Sequence, residues 1–205
     1  MPAKHINKEP RLLRTWSADK NPGYNCTIWE AGRATSAAPT FFKRICIGDP
    51  GLQEEFIDAA MGCNNPVRYL IEEAEREFGP MRNVSCIVSI GTGKPKVAGF
   101  EAPGLFQRAL PLDFIKVLAS MATDSEAEAL AMKARYQNCP GLYHRLNVER
   151  GLEEVSLEEW KKLGEVKTHT IMYLKRCDVS DDVDVIVSAL LGGSPQTYRL
   201  GQLGI

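Results

Sequence analysis

Between Glu54 and Gly93 the chain passes through strand, helix and strand signals in close succession, and this restricts the fold more than any other stretch. The helix is the clearest part. Asn65 suits its cap, Pro66 suits its first position, and Val67, Leu70, Ile71, Ala74 and Phe78 recur on one face at the helical period. Gly79-Pro80 ends it, since glycine accepts the reversed backbone at a helix exit and proline cannot continue one. Before the helix, Glu54 to Asp58 reads as a strand that stops at an aspartate followed by Ala59, Ala60 and Gly62. After it, Val84 to Ile90 is apolar and β-branched, the pattern of a strand covered on both faces, and it runs into Gly91-Thr92-Gly93. The expected fold class is therefore α/β, a sheet flanked by helices.

The rest of the chain extends the alternation. Arg11 to Trp16 and Phe41 to Ile47 are strand signals. A helix is expected from Thr27, which stands three residues before Glu30 as a capping box. Ala31 to Ala38 is rich in small residues, suited to close backbone approach, and Pro39 ends that helix. Further helices are expected over Leu112 to Met121, from Asp124 to Tyr136 behind a Thr123/Glu126 box, after a Ser156/Glu159 box, and over Asp181 to Leu191 before Gly192-Gly193. Leu142 to Val148 alternates as a half-buried strand. No repeat or long linker divides residues 1–205, so one unit is expected, with 1–10 and 194–205 loosely ordered or dependent on contacts.

Charge and cysteine content exclude several functions. The 25 basic and 26 acidic residues nearly cancel, which gives no footprint for nucleic acid and no polybasic patch for anionic lipid headgroups, so any lipid contact is expected to rest on shape and apolar surface. The six cysteines are scattered, without a C-x-x-C pair or a Cys/His cluster at ligand spacing, so reduced thiols and no metal are expected. No apolar run reaches the length of a membrane span, and no leader pattern follows Met1. The expectation is a cytoplasmic protein with peripheral membrane contact. Asn25-Cys26-Thr27 and Asn83-Val84-Ser85 match the glycosylation sequon, which has meaning only in a secreted protein.

Three segments in order, Ala34-Thr35-Ser36-Ala37-Ala38-Pro39, then Phe56-Ile57-Asp58-Ala59-Ala60-Met61-Gly62-Cys63-Asn64-Asn65-Pro66, then Val88-Ser89-Ile90-Gly91-Thr92-Gly93, resemble the patatin-like phospholipase family. The resemblance covers Arg11 to Leu191 and is nearest to fungal members, which share the segment beginning Cys26-Thr27-Ile28-Trp29-Glu30-Ala31. It implies the C-terminal half of an acyl hydrolase domain acting on phospholipid or acylglycerol esters. In that family a serine in a Gly-x-Ser-x-Gly elbow attacks the ester, and an aspartate serves as its base without histidine. Asp58 stands where that aspartate belongs. A carboxylate at a strand end is held by the sheet while its oxygens face a crevice, although many strand-end aspartates only form turns. No organic cofactor or metal is implied.

Two departures accompany the resemblance. Ala59 and Ala60 replace the family's usual Gly-Gly or Gly-Ala. An alanine forced to positive φ would strain that turn by about 1 kcal/mol. The chain also contains no Gly-x-Ser-x-Gly and no glycine-rich oxyanion loop, so neither nucleophile nor oxyanion hole is assigned and the isolated chain is expected to be inactive. A competing expectation, from a different class, is a non-catalytic remnant or interaction module. Either way, uncovered apolar faces would favour self-association or a partner chain.

Other chemistry-bearing residues have plainer readings. Ser36 is expected in a helix body in a packing role, and Ser89 as a sheet residue because Ile87 breaks the elbow pattern. Cys63 has no neighbouring histidine and is expected to be structural. His144 on a strand and His169 on a helix are expected to be satisfied or surface residues, not triad members. Gly91-Thr92-Gly93-Lys94 lacks the spacing of a phosphate loop and is expected to form a tight turn. Trp160, among Glu158, Glu159, Lys161 and Lys162, is expected to be an anchoring side chain on a charged helix, not a membrane insertion device.

Overall fold

The computed structural model describes residues 2–5, 10–16, 25–38, 41–59, 63–94, 125–153, 155, 159–193 and 196–203. Although no linker marks a boundary, the chain divides into two compact units, Met1–Pro66 with Pro103–Ser125, and Val67–Ala102 with Glu126–Ile205. Helices are mixed with small sheets, which is compatible with α/β.

The first unit contains β1 (Pro2–His5), β2 (Pro10–Leu12), α1 (Ile28–Thr35), β3 (Ile45–Ile47) and β4 (Glu54–Asp58). Its sheet has the order β2-β1-β4-β3 and every pairing is antiparallel, with Ala3 opposite Asp58 and Ile45 opposite Phe56. The strand signal ending at Asp58 is borne out to the residue, while those over 11–16 and 41–47 shrink to short strands at Pro10–Leu12 and Ile45–Ile47. Residues 2–5, placed in the expected loose N-terminus, instead form a strand paired on both sides. The capping box forms as read. Glu30 N–H donates to Thr27 Oγ1 at 3.2 Å, and Thr27 N–H donates back to Glu30 Oε2 at 2.7 Å. Ala34, Ile47 and Phe56 form the buried centre, with Leu13, Cys26 and Ile45 packed on it.

The second unit contains α2 (Val67–Phe78), β5 (Asn83–Val84), β6 (Ile87–Ile90), a helix α3 over 125–135, β7 (Tyr143–Leu146), a 3-10 turn Trp160–Lys162, α4 (Leu163–Leu174), α5 (Cys177–Leu190), β8 (Tyr198–Arg199) and α6 (Leu200–Leu203). Among the described residues, this unit has two small sheets instead of one. β6 pairs in parallel with β7, from Ile87 opposite Tyr143 to Ile90 opposite Leu146, and β5 pairs antiparallel with β8. The continuous strand expected over 84–90 is thus split, and β6 is not covered on both faces, since Ile87 and Ser89 are buried while Ile90 is exposed. The apolar face of α2 is likewise narrower than its period suggests. Val67 and Ile71 are buried and Ala74 packs beside them, whereas Leu70 and Phe78 face solvent.

The core of this unit joins Val67, Ile71, Ile87, Met132, Tyr136, Leu142, Leu200 and Leu203. Its last two members overturn the expectation of a loose tail over 196–203. Leu200 and Leu203 are each only 2% exposed, and the Leu203 carbonyl accepts from Arg135 Nε at 3.0 Å. Gly192, at positive φ, closes α5 as read, although that helix begins earlier, at Cys177. The helix expected over 112–121, Thr123 and Ser156 lie outside the described residues.

Candidate functional site

Asp58 is the last residue of β4, a strand bordered on both edges by other strands, and it stands opposite Ala3 of β1, whereas the pairing with β3 covers only Glu54 to Phe56. A further bond comes from outside the sheet: Asp58 N–H donates to the Ala37 carbonyl at 3.1 Å. That contact explains the small-residue stretch. Ala34 and Ala37 are fully buried, and a larger side chain there would hold the end of α1 away from β4. Ala59 is buried next to Asp58, and its carbonyl accepts from Cys63 N–H at 3.0 Å. The aspartate itself is half-buried. Such an arrangement gives a carboxylate a fixed origin at the end of a strand, the condition for a base that must meet a proton at a defined place.

Ser36 is next in the chain to Ala37, whose carbonyl accepts from the Asp58 amide. It is the exposed cap residue at the end of α1, not part of the helix body, and its hydroxyl donates back to the Gly32 carbonyl at 2.8 Å. That bond commits the hydroxyl proton to the helix. Asn65 is buried, and its side-chain amide donates to the Ser125 carbonyl at 3.3 Å. Burial pushes the Cys26 thiol up, with Glu30 adding to the effect, and burial raises Cys86 as well. Both are poor thiolates. All six cysteines are unbridged.

The second unit holds a polar cluster that the sequence reading missed. Asn147, just beyond β7, is buried, and its Oδ1 accepts from Gly93 N–H at 2.8 Å while its Nδ2 donates to Glu126 at 2.9 Å. Arg145 donates to Ser89 at 2.9 Å and lies 3.5 Å from Glu126. Lys94 lies 3.4 Å from Glu149, which also accepts from Arg176 at 2.9 Å. These two cations hold the Glu149 carboxyl below the usual range. Gly91-Thr92-Gly93 is thereby clamped alongside residues 146–148 with a bend at Thr92 instead of the tight turn expected, Gly91 N–H donating to the Leu146 carbonyl and Lys94 N–H to that of Val148. A Cβ on Gly91 would stand 2.4 Å from Asn147 Oδ1. The one available signal was an asparagine between Leu146 and Val148 in an otherwise apolar strand end.

The remaining candidates take the roles expected of them. Ser89 is a buried strand residue, and His144 is a buried ring with Nε2 3.1 Å from the Gly141 carbonyl and Nδ1 3.4 Å from Asp182. His169 lies half-buried on α4. Trp160 departs from expectation: it is 71% exposed, with the Lys161 amine 5.6 Å from the centre of its ring. Among the described residues no group of three or more His, Cys, Asp or Glu could hold a metal ion, and no helix is long and apolar enough to cross a membrane.

With Asp58 placed at its strand end, comparison with known proteins gives a distant likeness. The chain is distantly similar to a phospholipase. It is 24% identical over 153 residues to the 85/88 kDa calcium-independent phospholipase A2 of Rattus norvegicus, and equally to that of Mus musculus. The likeness covers 63% of this chain but only 18% of either relative, so the chain spans less than a fifth of the proteins it matches. No family model matches, and no solved structure matches.

Proposed function

We propose that this chain is the aspartate-bearing part of a patatin-like lipid acyl hydrolase, with Asp58 as the base of a Ser-Asp dyad acting on phospholipid or acylglycerol esters. The observation that carries the reading is the position of Asp58, fixed at the end of β4 and tied to Ala37 within two of the three segments that resemble the family. Distant similarity to a phospholipase A2 supports the lipid substrate class. In this mechanism Asp58 accepts the proton of a serine hydroxyl as its oxygen bonds to the ester carbonyl carbon. The alcohol then leaves, and water releases the acyl group from the serine. No Gly-x-Ser-x-Gly occurs in these 205 residues, so the serine and the oxyanion donors come from polypeptide outside this sequence.

The test compares ester hydrolysis by the chain alone with hydrolysis by the same chain joined to an upstream segment carrying the glycine-rich loop and elbow. The chain alone should show no turnover above its Asp58→Asn variant. The joined protein should turn over, and Asp58→Asn should lower kcat by about ten-thousand-fold. A joined protein indifferent to that substitution, or activity of the lone chain that survives it, removes Asp58 from the chemistry. A joined protein that folds but never turns over leaves the non-catalytic module as the correct description.

A further inference from the structure

We propose that His144 is a protonation-dependent tie, which fastens the first half of α5 to β7 when the imidazole is charged and slackens when the ring is neutral. The ring is only 6% exposed, and each of its nitrogens faces an oxygen. Nε2 lies 3.1 Å from the Gly141 carbonyl, just ahead of β7, and Nδ1 lies 3.4 Å from Asp182 Oδ1, on α5. A carbonyl and a carboxylate only accept. A neutral imidazole carries one N–H, so it can serve one of these oxygens and must turn a lone pair on the other. Only the imidazolium donates to both.

Asp182 is the charged group that reaches the ring from α5. Asp178 stands one turn earlier on the same side of that helix and is taken by Arg176 at 2.7 Å, whereas Asp181 and Asp184 are exposed on its other sides. β6, which pairs with β7, carries no charged residue. Ahead of β7, Cys139 packs against the core. The opposite face of β7 carries Tyr143, Arg145 and Asn147, and there Arg145 and Asn147 meet Glu126 of α3, away from His144.

Charge joins α5 to this strand at two places, and they differ in kind. Beyond the end of β7, Glu149 accepts from Arg176, the residue preceding α5, at 2.9 Å, and lies 3.4 Å from Lys94. Arg176 and then Lys94 hold the Glu149 carboxyl below the usual range, so that place stays charged from mild acid upward. The contact of His144 with Asp182 comes and goes. Its contribution is present below the histidine range and is lost as pH rises through it, because the charged ring alone has both partners. Without it, α5 is held by Arg176 and by the burial of Val179, Ile186 and Ala189, and its first turns open more often.

The test is amide hydrogen exchange in the full chain at about pH 5.5 and about pH 8, corrected for intrinsic rates, with nitrogen NMR of the His144 ring alongside. Both ring nitrogens should carry protons at the lower pH and one at the higher. Protection of the amides from Asp181 to Val185 should be about five-fold greater at the lower pH, a modest factor because the Asp182 side chain is 55% exposed. In Asp182→Asn the new amide can donate to a neutral ring, so the five-fold difference should vanish while the helix stays folded. Asp184→Asn makes the same charge change on the far side of α5 and should keep the difference. A ring with a single proton at the lower pH, equal protection at the two pH values, or a difference that survives in Asp182→Asn overturns the proposal. Loss of the difference in Asp184→Asn overturns it too, since repulsion along α5 would then be the cause.

Discussion

Replacing Gly91 by alanine should destabilise the second unit through one identifiable collision. Gly91 does not sit at positive φ, so alanine meets no backbone strain there, only atoms. The new Cβ would stand 2.4 Å from Asn147 Oδ1, 2.6 Å from its Cγ and 2.8 Å from Arg145 Nη2. The arginine is the end of a flexible side chain and moves cheaply. Asn147 is pinned, because it is buried and holds both Gly93 N–H at 2.8 Å and Glu126 at 2.9 Å. A hydrogen bond to a neutral group contributes about 0.5–1.5 kcal/mol and one to a carboxylate about 1.5–3 kcal/mol, so displacing Asn147 should cost about 2–4 kcal/mol. At about 2–4 °C per kcal/mol for a chain of this size, the melting temperature should fall by about 4–16 °C. Asn147→Ala removes the same two bonds and should cost a similar amount. The double variant, Gly91→Ala with Asn147→Ala, then has nothing left to collide with or lose, and should be no less stable than Asn147→Ala alone. Urea unfolding followed by two probes measures the three variants. If the two single costs add to within about 0.5 kcal/mol in the double variant, Asn147 is not what Gly91 accommodates and the clamp is wrong.

Two further outcomes follow from the packing and the capping box. Leu203→Ala should cost about 2–5 kcal/mol and raise hydrogen exchange in β5 and β8, since Leu203 lies in the core with Val67 and Ile71; exchange as fast as in an unfolded peptide in the unaltered chain would restore the loose tail. The Glu30 carboxyl is held below its ordinary value first by the Thr27 backbone N–H and then by the Thr27 hydroxyl. Its contribution to stability is present above the ordinary carboxylate range and is lost as pH falls through the lowered midpoint. Thr27→Ala removes only the hydroxyl, so a carboxyl titration followed by NMR should show the Glu30 midpoint rising part of the way, at a cost of about 1 kcal/mol in stability. A midpoint unmoved by the substitution contradicts the box geometry.

Local chemistry was legible in the residues themselves. Thr27 and Glu30 satisfy each other across one turn, glycine alone tolerates the φ of Gly192, and a strand can end at Asp58 whatever lies beside it. Those outcomes depend on atoms a few positions apart. Partner choice did not lie within such reach. Whether Leu70 and Phe78 are covered, whether residues 84–90 make one strand or two, and whether Leu200 and Leu203 belong to a core depend on surfaces distant in the chain. The candidate site divides the same way. Asp58 was visible from its segment, but the Ala37 carbonyl that fixes its amide and the Asn147 clamp on the Gly91–Gly93 segment are contacts between distant residues. Periodicity states which side of a helix is apolar; only the tertiary structure decides whether anything meets that side, because burial is a property of two surfaces and a sequence segment supplies one.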